Sequence, residues 1–401
     1  MSTAPPSLNH PRHLKYWLRN LRTFLPSDYT PTDLNRLTLG FFIVSALDLL
    51  GSLHTSTTPE ERNQWIDWIY SNQLPDGGFR GSPATQFVTA PNSRWDPANL
   101  PATFFAIVAL VTLGDDLSRV NRKEILEWLP ILQRDDGSFG EWVLEAHEGD
   151  EGQICGGRDM RYIYFAAALR WMLRGKEGSG MEDIADWDTG KAVDFIIASQ
   201  SYDYGIAEMP YHEAHAGMTY CALGALSLLG VLKETAINRD GLLSWLLSRQ
   251  VAFKNIHGMT EEDYTEIQNG DNEEEKQALE EVELMDDGSG RPKCAGFNGR
   301  CNKMPDTCYS FWVGASLEML KKFHLLNIQA NRRFLLEKTQ HIIGGFKKLP
   351  QPGGYPDILH SYLGLAALSL AREEGLCRLD AALCVSIQTK ERLTSLKWWS
   401  G

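Results

Sequence analysis

The sequence predicts an all-α fold of stacked helix pairs. Three observations carry that expectation: a short motif that recurs five times, apolar helical segments between its copies, and little β-branched alternation. Each copy has a Gln, a few polar or turn residues, then Gly and an apolar residue. The copies are "NQLPDGGFRG" at 72–81, "LQRDDGSFGEW" at 132–142, "QSYDYGIAE" at 200–208, Arg249 and Gln250 with "GFNGR" at 296–300, and "TQHIIGGFKK" at 339–348. Between them, "DMRYIYFAAALRWML", "HAGMTYCALGALSLLG" and "TCYSFWVGASLEMLKKF" place apolar residues at helical spacing, with small residues at close-approach positions. A pair of helices joined by a Gly-turn cannot bury its own apolar face. Five or six units must therefore stack, as an open solenoid or as a closed α/α toroid. The 12 Trp, 13 Tyr and 16 Phe are abundant enough to fill a central cavity, which favours the closed ring.

The 401 residues read as a single domain, 1–401, with an acidic insertion at about 255–293. Thr260 to Gly290 holds thirteen Asp/Glu and one Lys, a charge of −12, so the rest of the chain carries only −1 of the total −13. Such a run is ordinarily a solvated insertion, and the acidic pI does not argue against an anionic ligand. The start, "MSTAPPSLNHPRHLKYWLRNL", has charges where a signal peptide needs an apolar core. The apolar run "ATFFAIVALVTL" is too short to span a membrane. Seven scattered cysteines without a C-x-x-C pair point to free thiols in the cytoplasm and away from a structural zinc finger. Neither G-x-x-x-x-G-K-[ST] nor G-x-G-x-x-G occurs, so nucleoside phosphates are not expected, and nucleic acid is not among the expected partners.

In "PDTCYSFWVGASL", Asp306 can cap the helix that follows, while Cys308 falls in its first turn, where the macrodipole favours thiolate. Residues two apart do not share a helix face, but both reach one point if Asp306 lies just outside the helix and Cys308 just inside. His360, in "GGYPDILHSYLGLAALSL", opens a similar helix after a Gly/Pro turn. A lone His there is more often structural; with Asp306 and Cys308 it completes an O, S, N set that leaves a zinc ion one open position. Arg300 and Lys303, in "GFNGRCNKMPDTC", precede the same helix, and two cations beside a metal suit a diphosphate, although loop charges are commonly just solvated. His212 and His215 precede another helix whose N–H groups could face phosphate.

These residues resemble the β subunits of protein prenyltransferases, through "GRCNKMPDTCYSFWVGASL", "DILHSYLGLAALSL", "GDDLSRVN", "DMRYIYFAAALRWML" and "LNRLTLGFFIVSALDLL". The resemblance covers nearly the whole chain except the acidic insertion and the extreme termini. It implies an α/α toroid that holds zinc through Asp306, Cys308 and His360. There the cysteine of a C-terminal C-a-a-X box, bound as thiolate, attacks C1 of an isoprenoid diphosphate. It further implies that His215, Arg300, Lys303 and Tyr309 bind the diphosphate. Arg161, with Asp159 beside it, would line the peptide end of the cavity, and Trp312 its aromatic wall. Thr38 stands where farnesyl enzymes carry a bulky Trp. With Phe42 and Leu359, which match residues of the a-a-X pocket, it follows the type I geranylgeranyl pattern and makes room for a fourth isoprene unit. Lys348 matches a lysine that substitutes for magnesium near the diphosphate, implying no strict Mg²⁺ requirement. Cys301, where type I chains usually have Pro, is a farnesyl-like departure, and the turn between Lys348 and His360 is longer than typical. The expected partners are a prenyltransferase α subunit, geranylgeranyl diphosphate and C-a-a-X peptides, mostly C-a-a-L, of Rho-type small GTPases. The competing readings are a farnesyltransferase β subunit and, from another class, a non-catalytic toroid acting as a binding scaffold.

Overall fold

The computed structural model describes residues 6–75, 77–86, 96–144, 152–252, 292–351 and 353–400. The acidic insertion expected at about 255–293 lies outside the described residues up to position 291. Helices alternate between outer and inner positions in six pairs: α1 (His10–Arg22) and α2 (Arg36–Leu49), α3 (Pro59–Tyr70) and α4 (Leu100–Leu113), α5 (Arg122–Trp128) and α6 (Met160–Arg174), α7 (Thr189–Ala198) and α8 (Ala216–Leu228), α9 (Arg239–Leu247) and α10 (Thr307–Met319), α11 (Ile328–Arg333) and α12 (Ile358–Leu370). The even-numbered helices pack in cyclic order, and α12 returns to α2. The stack is therefore the closed toroid and not the solenoid.

Composition sorts the two layers. In α4 the run "LPATFFAIVALVTL" is apolar on every side and almost wholly buried, as a helix with neighbours all round must be. By contrast α1 turns Arg12, Lys15 and Arg19 outward and buries His13, Tyr16 and Trp17. An N–H at the first or second position of an inner helix reaches the loop that leads to the next: Leu37 to Gly81 O, Leu100 to Glu141 O, Ala216 to Gly299 O and Thr307 to Lys348 O. These bonds place the inner N-termini on one rim. Asn99, Asp159, His215, Asp306 and Asp357 cap their helices there with their own side chains.

The recurring glutamine is the clasp between units. Gln133 donates its amide N–H to Asp188 O at 2.8 Å and accepts from Asp188 N at 2.8 Å. Gln200 does the same with Asn238, and Gln250 with Asn327. Gln73 grips Arg119 O and Asn121 N. The fifth, Gln340, reaches back to the start of the chain, accepting from Asn9 N at 2.9 Å and donating to Ser7 O at 3.2 Å. Each glutamine backbone also bridges the apolar residue after the motif glycine: Phe79, Phe139, Ile206, Phe297 and Phe346, all fully buried. Gly137 shows why the turn needs glycine, since its φ is +88° and a Cβ would stand 2.1 Å from Lys191 O.

Strands are confined, among the described residues, to three two-stranded hairpins: β1 (Trp142–Leu144) with β2 (Gln153–Cys155), β3 (Gln250–Ala252) with β4 (Ala295–Phe297), and β5 (Leu379–Asp380) with β6 (Val385–Ser386). The turn of the last hairpin is wedged among the inner helices. Ala382 O accepts from the hydroxyls of Tyr164 at 2.8 Å and Tyr220 at 3.3 Å, and Cys384 O accepts from Tyr362 at 2.5 Å. An aromatic belt runs from Tyr362 through Phe42, Phe105, Phe165, Tyr164 and Tyr220 to Trp312.

Two predictions test the ring closure. Gln340→Ala strands the Asn9 N–H and the His13 ring, and should lower unfolding free energy by about 2 kcal/mol in a urea titration. His13 is fully buried, and Gly345 N–H donates to its Nδ1, so its Nε2 carries the proton towards Gln340. Burial pushes this imidazole down from 6.5 to about 4. The unfolded chain then takes up a proton that the folded chain refuses. This contribution is complete above pH 6.5 and is lost as pH falls towards 4, in total about 3 kcal/mol. The stability of His13→Asn should fall less steeply across that window than that of the unaltered chain.

Candidate metal centre

Two neighbouring inner helices, α10 and α12, bring the three predicted ligands together. Asp306 is the N-cap of α10 in extended backbone (φ −130°, ψ 146°), and its Oδ1 accepts from Cys308 N at 2.8 Å. This cap geometry lets a residue outside the helix and one in its first turn address the same point. On α12 the cap is Asp357, whose Oδ1 accepts from His360 N at 2.9 Å while its Oδ2 lies 2.7 Å from His360 Nδ1. A carboxylate only accepts, so Nδ1 carries the proton and Nε2 is turned inward, 3.3 Å from Asp306 Oδ1. One ligand atom from each of Asp306, Cys308 and His360 lies within 4.8 Å of the other two. Their residues are 4%, 8% and 9% exposed. Among the described residues this is the one such group of three or more His, Cys, Asp or Glu side chains. The ladder Cys294, Cys301, Cys308 forms no such cage.

Burial, reinforced by the Asp306 charge, pushes the Cys308 thiol well above its ordinary range; the Trp312 indole and the Lys348 ammonium act the other way. Burial alone would lower His360, but the hydrogen bonds to Asp306 and Asp357 outweigh it and hold the imidazole up at about 9. The pocket thus gathers acidic donors that burial disfavours and that a divalent cation would neutralise. An O, S, N set with the imidazole oriented from behind by a carboxylate fits zinc. Asp357 is the functional side chain that the sequence reading left out; its signal was a cap residue three positions before His360.

The other expected residues collect around the same rim. His215, the N-cap of α8, accepts from Gly217 N at its Nδ1, so Nε2 donates to the Tyr309 hydroxyl at 3.1 Å. Burial, and then Arg300, push this imidazole down to about 4, so it is a neutral donor. A Cβ on Gly299 would stand 2.1 Å from the Tyr309 ring, which fixes glycine at that position. Arg300 pairs with Glu213 at 3.1 Å, both well exposed, while Lys303 is half-buried and makes no ion pair among the described residues. The Lys348 carbonyl accepts from Thr307 N at the start of α10. Arg161 is held in a two-pronged pair with Asp159, its own helix cap, and helps to depress His215. Phe42 is buried against Phe105 and Tyr362, Thr38 is half-buried one turn earlier on α2, and Leu359 is 39% exposed beside His360. His212 lies apart, paired with Glu208. An apolar cleft of about 640 Å³ between α1, α2, α3 and α4, lined by Leu37, Gly40, Phe41, Trp65 and Trp68, contains none of these residues.

Zinc titration of the metal-stripped chain should give one site per molecule, abolished in His360→Ala. Asp357→Asn retains a capping oxygen but loses the carboxylate behind Nδ1, and should weaken zinc binding by about 10- to 100-fold.

Residues 8–385 match the family described as Prenyltransferase alpha-alpha toroid domain. The chain is 34% identical over 390 residues to the geranylgeranyl transferase type-1 subunit beta of Arabidopsis thaliana, covering 92% of this chain and 86% of that protein. It is 31% identical over 383 residues to the subunit of the same name from Dictyostelium discoideum, covering 90% of each. The solved structure of Candida albicans protein geranylgeranyltransferase-I complexed with GGPP superposes with a TM-score of 0.79 at 27% identity, covering 98% of this chain and all of that one. With its sequence matched over residues 8–385 and its closed ring over 98% of the chain, the protein belongs to the protein prenyltransferase β subunits.

Proposed function

We propose that the chain is the catalytic β subunit of a type I protein geranylgeranyltransferase. It would move a geranylgeranyl group from its diphosphate to the cysteine of C-terminal C-a-a-X boxes, X mostly Leu, on Rho-type small GTPases. The observation that carries this reading is the buried convergence of Asp306, Cys308 and His360 at the rim of the toroid. The type-1 names of the relatives and Thr38 on α2 support geranylgeranyl over farnesyl.

Zinc held by Asp306, Cys308 and His360 would keep the acceptor thiol deprotonated near neutral pH. The chain's own residues meet the charge that develops on the departing diphosphate. Arg300 exchanges its exposed contact with Glu213, worth little in water, for a phosphate. Lys303 and Lys348 add cationic charge from the loops before α10 and α12. Neutral His215 fixes the Tyr309 oxygen, which leaves the phenol hydrogen to point away from the imidazole. Lys348, in this role, would remove a strict need for Mg²⁺. Thr38, Phe42, Arg161, Trp312 and Leu359 would line the isoprenoid and a-a-X pocket. Phe24 and Tyr211, fully exposed, and Tyr355, 80% exposed, stand on segments leading to the inner N-termini. Large aromatics bare on that rim support a second subunit, the prenyltransferase α chain, covering it. No helix of the described residues is long and apolar enough to cross a membrane, and we place the enzyme in the cytoplasm.

The test is transfer by the chain co-expressed with an α subunit, given equal farnesyl and geranylgeranyl diphosphates and peptides ending in Leu or Met. Chelator-sensitive geranylgeranyl transfer to the Leu peptide is expected, and Thr38→Trp should shift isoprenoid preference towards farnesyl by roughly tenfold or more. Preferential farnesyl transfer to the Met peptide would overturn the type I reading. Absence of any transfer would favour the scaffold.

A further inference from the structure

Behind the loop that carries Arg300 and Lys303 lies a guanidinium with no carboxylate partner among the described residues. Arg249 is 5% exposed. Its Nε donates to Trp245 O at 3.3 Å, and the guanidinium sits 4.7 Å from the centre of the Trp245 ring. Nη2 donates to Ser248 Oγ at 3.1 Å and to Cys301 Sγ at 3.3 Å. Nη1 has no hydrogen-bond partner, and Arg249 makes no ion pair among the described residues. A buried cation left in this way is costly, and the repeat does not require it. The residues before the other motif glutamines are Asn72, Leu132, Ser199 and Thr339, none of them charged. Cys301 is exposed on its other side.

We propose that Cys301 is an oxidant-sensitive modification site, directed by Arg249, whose unfilled Nη1 receives the oxygen that oxidation adds. With hydrogen peroxide as the oxidant, the sulfur attacks one peroxide oxygen. The S–O bond forms as the O–O bond breaks, and the thiol proton leaves with the displaced hydroxide as water. Sulfur loses two electrons and becomes a sulfenic acid. A second equivalent gives the sulfinate, a two-oxygen anion that matches the guanidinium fork as a carboxylate does. Burial sets other thiols apart: Cys221, Cys308 and Cys384 are buried, while Cys294 and Cys377 are half-buried and raised by desolvation. Cys155 bonds to its neighbour Gln153 O at 3.6 Å.

The site has leverage over the rim. Gly299 is pinned by Ala216 N at 2.9 Å, and Asn302 holds a left-handed φ of +58°, so Cys301 sits in a tight, anchored turn between Arg300 and Lys303. Sγ already lies 3.3 Å from Nη2, so an oxygen added there must displace that turn, and with it both cations, from the position they offer an anionic ligand. This second half rests on the diphosphate reading proposed above.

The experiment treats the full chain with dilute hydrogen peroxide, traps sulfenic acid with dimedone, and quantifies each cysteine by peptide mass spectrometry. Cys301 should label roughly tenfold faster than Cys155, and Arg249→Met should remove that advantage. Equal labelling of Cys155 and Cys301 in the unaltered chain overturns the assignment, whether or not Arg249→Met folds. Inorganic pyrophosphate binding, measured by calorimetry, should weaken at least fivefold on oxidation and stay unchanged in Cys301→Ser, a loss of the kind that follows from removing one phosphate cation. Unchanged binding after full oxidation of Cys301, without dimedone, overturns the coupling. A reduced chain that does not bind pyrophosphate overturns the diphosphate reading instead, while the labelling result stands separately.

Discussion

Everything at the rim depends on the ring being shut. The ligands come from α10 and α12, but α12 is held in place by α2, more than three hundred residues earlier, and by the Gln340 clasp on Ser7 and Asn9. A side-chain amide is well suited to this task because it carries one donor group and one acceptor in a plane, like the backbone it replaces. Four copies of the clasp join neighbours along the chain, and the fifth joins its two ends. Packing alone would hold the helices at roughly the right separation. The paired amide bonds fix the entry of each outer helix, and hence the direction in which each inner helix begins.

That direction is what makes a site out of caps. Capping groups are ordinarily consumed by their own helix. Here Asp357 satisfies a backbone N–H with one oxygen and holds the imidazole with the other, while Asp306 Oδ1 both accepts from Cys308 N and faces His360 Nε2. The two carboxylates flank one imidazole, and the arrangement is stiff because each carboxylate is also tied to a backbone N–H. The same economy appears at His215, whose Nδ1 caps α8 while Nε2 serves Tyr309.

Much of this was legible in the sequence, because repeats and caps are local. The five glutamines, the buried residue after each motif glycine, and the Asp306–Cys308 geometry all follow from spacing over a few residues. Closure was not legible locally, since a solenoid and a ring share the same pair of helices; only the aromatic content hinted at it. The partner of Arg300 was also hidden. Glu213 reaches it only because of which loops meet at the rim, whereas Asp159 stands two residues from Arg161 on the same helix start. The hairpin at 379–386 carries no trace of the repeat, and nothing in "DAALCV" announces that its carbonyls would meet three tyrosines from different helices.

That hairpin has a consequence for the order in which the protein is completed. Tyr164, Tyr220 and Tyr362 are fully enclosed, yet their hydroxyls have their carbonyl partners only in a turn made after all six inner helices. On the ribosome the ring can assemble helix by helix, but its bore stays unplugged, with three phenols facing an opening, until residues 381–384 emerge. A chain interrupted before that point keeps every metal-ligand candidate and every repeat glutamine, and still lacks a floor. The nascent protein therefore carries a simple mark of incompleteness, an open aromatic bore, which quality control could recognise by exposed apolar surface alone.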